Sequence, residues 1–299
     1  MQPRLIGAGL PSRESEKMFY KKKSLWIFLL PGLLGLMLFY FVPFVGGIYF
    51  SMTDGSVDNN FVGIRNYQKV WDNEVFRLGL RNSLELSLIC APLIFVLSFI
   101  LALMLRSLGR ASLPFRNILL MPYLVPTAAL LIVWMLIFDY GGPINRILAL
   151  FGLERVLWLE SEYLRVPVVL LYVWKNVGFS IVIFSAALES VPDELYEFAR
   201  LEGASAYKMA TKITLPLILP TAFLVFVLAW VNAFKIFKEV YFIGGAYPNE
   251  SVYTLQHFMN NKFSKLDYQD VTTAAYSFAV IVLVLFGVLY AQKGVRGHD

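Results

Sequence analysis

The stretch Ser83–Leu105 reads SLELSLICAPLIFVLSFILALML. Its one charged residue, Glu85, stands near the beginning. About 20 consecutive apolar residues make a helix long enough to cross a hydrocarbon core of roughly 30 Å. Alone, such a block could equally be a buried helix of a soluble domain. Five more follow the same rule along the chain: Leu25–Met52, Asn117–Phe138, Val166–Leu188, Ile213–Phe234 and Val271–Tyr290. Six in series exclude the soluble reading. Lipid offers no partner for an open backbone, so spans of this length are helical. A barrel would need short alternating segments of about 10 residues, and those are absent. The blocks predict an all-α polytopic membrane protein of about six transmembrane helices.

Composition agrees. Of 299 residues, 58% are hydrophobic and 16% charged, against about 45–50% and about 25% in soluble domains. The single cysteine, Cys90, lies inside the second block. It is read as a small buried hydrophobe, and it excludes a disulfide within the chain. The basic start followed by an apolar run resembles a signal peptide. The run far outlasts an h-region of about 7–15 residues and ends in no small-residue cleavage site, so it is read as the first span.

The net charge of +5 is explained by where the basic residues stand. Lys and Arg gather in residues 1–24, 106–116, 190–213 and 292–299, among them Arg4, Lys21, Lys22, Lys23, Arg106, Arg116, Arg200, Lys208 and Arg296. The alternate loops hold most of the acidic residues, including Asp54, Asp72, Glu74, Glu154 and Glu160. The positive-inside rule then puts both termini in the cytoplasm and reads the charge as a topology signal, not a nucleic-acid patch. Three regions follow: a cytoplasmic segment 1–24, a transmembrane domain 25–291 and a cytoplasmic tail 292–299. The loop Arg106–Arg116 is short and predicts a tight hairpin of spans two and three. The loop Lys235–Asp270 is the longest and includes the turn-rich Gly244–Asn249. No internal repeat or low-complexity tract is present.

Between spans four and five stands Val191–Pro216, VPDELYEFARLEGASAYKMATKITLP. Pro192 suits the first turn of a helix, and Asp193 and Glu194 complement its positive end. The helix is predicted to run through Glu202 and stop at Gly203, which readily takes left-handed dihedrals. Ser205 caps a second short helix, and Pro216 opens span five. This is a helix–turn–helix elbow outside the membrane. Ala199 and Gly203, four apart on one side, are expected to let another protein approach closely, with Glu197 beside them to meet a basic group.

Glu197, Ala199, Gly203, Ile213, Leu215 and Pro216 stand at the spacing E-x-A-x3-G-x9-I-x-L-P. This resembles the "EAA" loop of permease subunits in binding-protein-dependent ABC importers. Phe198, where a second Ala is common, and Glu202, where Asp is common, are mild departures. The resemblance extends over almost the whole chain. Gly63 with Asn66 and Tyr67, Arg116 with Pro122 and Pro126, Trp134, Gly141 with Asn145, Trp158 with Leu159, Trp174 with Gly178, and Gly244–Gly245 with Pro248 suggest the sugar-importer branch. The resemblance implies a permease for carbohydrate delivered by an extracytoplasmic binding protein. It also implies a second permease subunit in a pseudo-symmetric heterodimer, and a cytoplasmic ATPase dimer whose groove receives the elbow. The same machinery carrying another polar solute, such as glycerol phosphate, stays open, as does a membrane-embedded enzyme or channel.

Absent motifs narrow the chemistry. The sequence has no G-x-x-x-x-G-K-[ST] phosphate loop and no Gly-Lys pair. No catalytic role or cofactor is therefore expected in this chain, and ATP and Mg are expected on a partner ATPase. No HExxH, GxSxG or metal-spaced Cys/His set appears. His257 is expected in a wetted loop. Polar groups inside spans suggest a solute pathway: Trp174, Lys175, Asn176 and Gly178 in span four, Asn232 in span five, and Tyr276 in span six. The alternatives are that Lys175 pairs with a carboxylate such as Glu85, and that Asn232 bonds a neighbouring helix. Lys235 and Lys238 are expected to snorkel to the outer interface.

Overall fold

The computed structural model describes residues 22–56 and 58–295. Residues 1–21 of the expected cytoplasmic segment and 296–299 of the expected tail therefore lie outside the described residues, while 292–295 continue the last helix. Helices dominate, and the described residues hold no extended strand beyond one isolated bridge between Thr53 and Phe61. Among the described residues, six helical stretches are long and apolar enough to cross a membrane: Phe28–Ser51, Glu74–Ser107, Thr127–Leu150, Glu162–Glu189, Leu219–Gly244 and Tyr268–Gly287.

Span one is α1 (Lys22–Leu36) and α2 (Val42–Ser51), joined by a π-turn at Met37–Phe41. Pro43 has no N–H to continue the ladder, a standard cause of such a bulge. A surface helix α3 (Arg65–Asp72) follows. Then comes α4 (Glu74–Ser107), opened by Asn73, whose side chain accepts from the amides of Val75 and Phe76. At 34 residues α4 is about 50 Å long and overshoots the hydrocarbon core.

The third block was expected as one helix over Asn117–Phe138. It is broken into α5 (Ser112–Leu124) and α6 (Thr127–Phe138). The break falls at Val125, which takes an extended ψ of 136°, because the ring of Pro126 crowds out the helical conformation of the residue before it. After α7 (Pro143–Leu150), span four is α8 (Arg165–Glu189). The elbow is α9 (Asp193–Leu201) and α10 (Ala206–Met209), with a π-turn at Ala210–Thr214. Span five, expected from Ile213, becomes regular only at α11 (Leu219–Ala233), after a break at Ile218 two residues before Pro220. The long loop 235–270 contains α12 (Lys238–Gly244) and α13 (Leu255–Ser264), and span six is α14 (Tyr268–Val295).

Two apolar clusters hold the bundle. One joins Leu86, Cys90 and Ile94 of α4 to Tyr172 of α8 and Trp230 of α11. The second, nearer the elbow, joins Leu105, Ile181, Phe184, Leu188, Ile218 and Val225. At the opposite, far end α13 packs on α4 and α14 through Phe76, Leu255 and Phe258. Polar groups pin this lobe. The Arg165 guanidinium donates to Glu85 (2.7 Å), Asn82 (2.9 Å) and the Ser251 carbonyl (2.7 Å). Asn82 donates to the carbonyls of Glu250 and Tyr253, and the Ser83 hydroxyl accepts from Leu255 N. Asp270, whose side chain is 2% exposed, takes Lys69 of α3 and Lys262 of α13.

His257 does not sit in a wetted loop. It is fully buried in α13, ringed by Phe237, Tyr241 and Tyr253. Its Nδ1 meets the Thr254 hydroxyl at 2.8 Å and accepts from the Thr254 amide, closing a capping box that starts the helix. Burial pushes its imidazole down to about 4.

Candidate functional site

The elbow forms as its residue types dictate. α9 ends in a left-handed Gly203, φ +74°. The Gly203 amide donates to Arg200 O at 3.0 Å and the Ala204 amide to Ala199 O at 2.9 Å, the two bonds of a Schellman ending. The Ser205 hydroxyl caps α10 by accepting from Lys208 N. One expectation is corrected. Ala199 does not share an open face with Gly203. It is buried beneath the elbow beside Tyr196, because residues three apart on α9 share the face turned toward the bundle. The outward surface is Glu197, Phe198 (67% exposed), Leu201 (87%), Gly203 and Tyr207 (78%). Ile213 and Leu215 are half-buried, and Pro216 is exposed.

A cavity of about 1160 Å3 opens between the elbow and the ends of α4, α5 and α8. Sequence reasoning treated Arg106 only as a topology signal and passed over Tyr196 and Thr214. Arg106 stacks over the Tyr196 ring at 4.4 Å, and the Tyr196 hydroxyl pairs with that of Thr214 at 2.8 Å. The Arg116–Glu189 ion pair ties α5 to α8 at the same end. No local pattern in the sequence announces these pairings, which join residues up to 90 positions apart.

At mid-depth the structure brings two of the expected pathway residues together. Asn176 and Asn232 line one slot with Tyr123, Tyr172 and Phe179. Tyr123 stacks on Phe179 at 5.0 Å along one side of it. The slot holds about 20 Å3, room for one water molecule and none for a sugar. The large opening is therefore at the elbow end, and Asn232, Tyr123 and Phe179 of the small slot stay exposed on the surface of this chain.

The other four expected residues lie elsewhere. Trp174 is 43% exposed and stacks on Trp134 at 5.7 Å. Lys175 bonds the Thr127 hydroxyl at the α6 N-terminus. The pairing of Lys175 with Glu85 does not occur, since that carboxylate is held by Arg81 and Arg165 at 2.7 Å each. Gly178 is buried where α5 crosses α8: a Cβ there would stand 2.0 Å from Leu119 O. Tyr276 bonds the Phe44 carbonyl and packs on the Phe44 ring, holding span six to span one. Lys235 and Lys238 are exposed, as snorkelling requires. Among the described residues, no group of His, Cys, Asp and Glu is placed to hold a metal ion.

Asn145 proves to be a fully buried staple. It donates to Asp139 O, Tyr140 O and Val156 O and accepts from Val156 N and Trp158 Nε1, folding the loop after α6 onto itself.

Residues 94–292 match the family described as the binding-protein-dependent transport system inner membrane component. The chain belongs to this family. The match runs from mid-α4 through the elbow to span six, so the family's domain contains both the cavity and the slot. Full-length relatives agree. The chain is 30% identical over 289 residues to the trehalose/maltose transport system permease protein of Thermococcus litoralis, covering 94% of this chain and 97% of the relative. It is 29% identical to the diacetylchitobiose uptake system permease protein of Streptomyces coelicolor, covering 87% and 79%. It is 27% identical to the sn-glycerol-3-phosphate transport system permease protein of Yersinia pestis, covering 89% and 92%. The fold matches, at TM-score 0.80 and 23% identity, a chain of a bacterial ABC transporter involved in the import of the acidic polysaccharide alginate, covering 96% of this chain and all of that one.

Proposed function

We propose that this chain is one permease subunit of a bacterial ABC importer and forms half of a pathway for a carbohydrate. The observation that carries the reading is the end-to-end likeness to the trehalose/maltose permease, 97% of whose length is matched. On this reading the elbow faces the cytoplasm, as do both termini. Glu197, Gly203 and the exposed Phe198 and Leu201 contact a separate ATPase dimer, which holds ATP and Mg. Ala199, Ile213, Leu215 and Pro216 shape the elbow from behind. A second permease completes the pathway, and a binding protein delivers the solute at the far end. Asn176 and Asn232 are the side chains that meet solute once the Tyr123–Phe179 stack parts. Trp174, Lys175 and Tyr276, expected from the sequence along the pathway, instead pack or bond between helices away from that slot. Aromatic faces beside amide groups suit the hydroxyl-rich rings of sugars.

The test is to purify the tagged chain with its bound partners, identify them, and screen the cognate binding protein against trehalose, maltose, diacetylchitobiose and sn-glycerol 3-phosphate. Saturable binding of a saccharide is expected. Binding of glycerol phosphate alone would move the cargo to the second reading, which the Yersinia pestis relative favours. Recovery of no ATPase with the chain would refute the importer assignment.

A further inference from the structure

The elbow does not rest on the bundle along its length. The large cavity separates Asp193 and Glu197 on its own side from Ala102, Ser112 and Ser185 on the other. Force cannot cross an open gap by packing. It passes through the backbone at the two ends, through the part of α9 that is packed at Tyr196 and Ala199, and through side chains that bridge the space.

Two bridges stand in the structure. Arg106, on the last turn of α4, spreads its guanidinium over the start of the elbow. Nη1 donates to Leu188 O (2.6 Å) and to the Tyr196 hydroxyl (3.2 Å). Nη2 donates to Val191 O (2.8 Å) and to Asp193 (2.7 Å). Asp193 is 84% exposed, so that ion pair adds little. The two carbonyls and the tyrosine are the partners that matter. Tyr196 forms the second bridge. It is the one α9 residue buried in the apolar cluster shared by α4, α8 and α11. Its hydroxyl meets Thr214, which is fully buried just before span five.

We propose that Arg106, Tyr196 and Thr214 are positioning residues that fasten the elbow to α4 on one side and to span five on the other. A push on the elbow then moves both spans together instead of bending the π-turn at Ala210–Thr214. This rests on the elbow being the ATPase contact.

The test uses the co-purified transporter in lipid vesicles, trapped with Mg-ATP and vanadate. Opening is read by a membrane-impermeant maleimide attacking Asn232→Cys from the far side; native Cys90 is buried and stays silent. Thr214→Val removes the hydroxyl at nearly constant volume, and Thr214→Ser retains it. Thr214→Val loses the bonds to Tyr196 and to Met209 O, and Tyr196→Phe those to Thr214 and Arg106. Each variant is expected to slow labelling after trapping by about 2–12-fold or more, the worth of at least one hydrogen bond. The amount of trapped nucleotide should stay unchanged, and Thr214→Ser should label like the parent. Arg106→Lys, which loses the planar fork, should slow labelling at least as much. Parental labelling in Thr214→Val, or equal loss in Thr214→Ser, overturns the proposal. So does a loss that merely tracks lower trapping or lower membrane yield. Glu197→Lys, on the open face of the elbow, separates the two claims. If it leaves trapping-driven labelling intact, the elbow is not where the ATPase acts, and the functional reading fails first.

Discussion

Gly178→Ala adds one methyl group where α5 crosses α8. The new Cβ would lie 2.0 Å from Leu119 O, 2.8 Å from Leu119 C and 3.0 Å from Leu120 Cα. Ordinary contact is about 3.5–4 Å, so the helices must part by roughly 1.5 Å. All three atoms are backbone, and no rotamer change relieves the clash. One residue along, the Tyr123–Phe179 stack at 5.0 Å is pulled apart as well. Overpacking of this kind costs about 1–3 kcal/mol and a lost aromatic pair about 0.5–1.5 kcal/mol, so the sum is about 1.5–4.5 kcal/mol. The purified complex in detergent should lose its folded elution peak at a temperature several degrees lower, and solute uptake in cells should fall with it. Gly46→Ala is the control. Nothing lies within 4 Å of that position, and Ala in a helix is worth about 0.5–1 kcal/mol over Gly. Opposite signs at two helical glycines are expected. An unchanged melting curve and parental uptake for Gly178→Ala would refute the reasoning.

His257 should make the far-end lobe acid-sensitive. Its imidazole is pushed down to about 4 from an ordinary 6.5, so between those values the opened lobe binds a proton that the closed one refuses. Stability is complete above about pH 6.5 and falls as pH drops, by about 1.4 kcal/mol per unit, or about 2 kcal/mol at pH 5. Hydrogen exchange across α13 should accelerate accordingly at pH 5 relative to pH 7.5, and His257→Gln should flatten the dependence; exchange equal at both pH values in the parent rules the idea out. Asn145→Ala should take the acceptor from the half-buried amide of Val156 and the indole N–H of Trp158, costing about 1–3 kcal/mol locally. Trypsin cleavage after Arg155 should speed up strongly while the six spans stay protected, and an unchanged cleavage rate would show that the loop does not depend on this side chain.

The six spans were legible because apolar runs of membrane length have few other uses. The elbow was legible because its signals are local: Pro192, Gly203 and Ser205 each act within a turn of themselves. The breaks at Val125 and Ile218 carried a visible cue in Pro126 and Pro220. Hydropathy ran straight through both, and it hid them. The burial of His257 was not legible because the sequence around it is polar and reads as a wetted loop. The partners of the lobe around α13, Asn82, Ser83, Glu85 and Arg165, are donated by distant spans, and local pattern carries no trace of them. The same limit governed the pathway residues. Their chemistry was readable one by one, but only folding put Asn176 beside Asn232 and set Gly178 and Tyr276 to packing.

Among the described residues, span one is anchored near one end only. Tyr276 grips Phe44 and Thr273 reaches Ser51, while Phe28 through Tyr40 lie bare along almost their whole circumference. Lipid tails are as oily as this helix and give it no reason to lie against its own bundle. It therefore behaves as a cantilever, with sideways excursion growing from Ser51 back toward Phe28. A spin probe would tumble least at Tyr49 and most near Leu29, until a neighbouring subunit closes over the free arm.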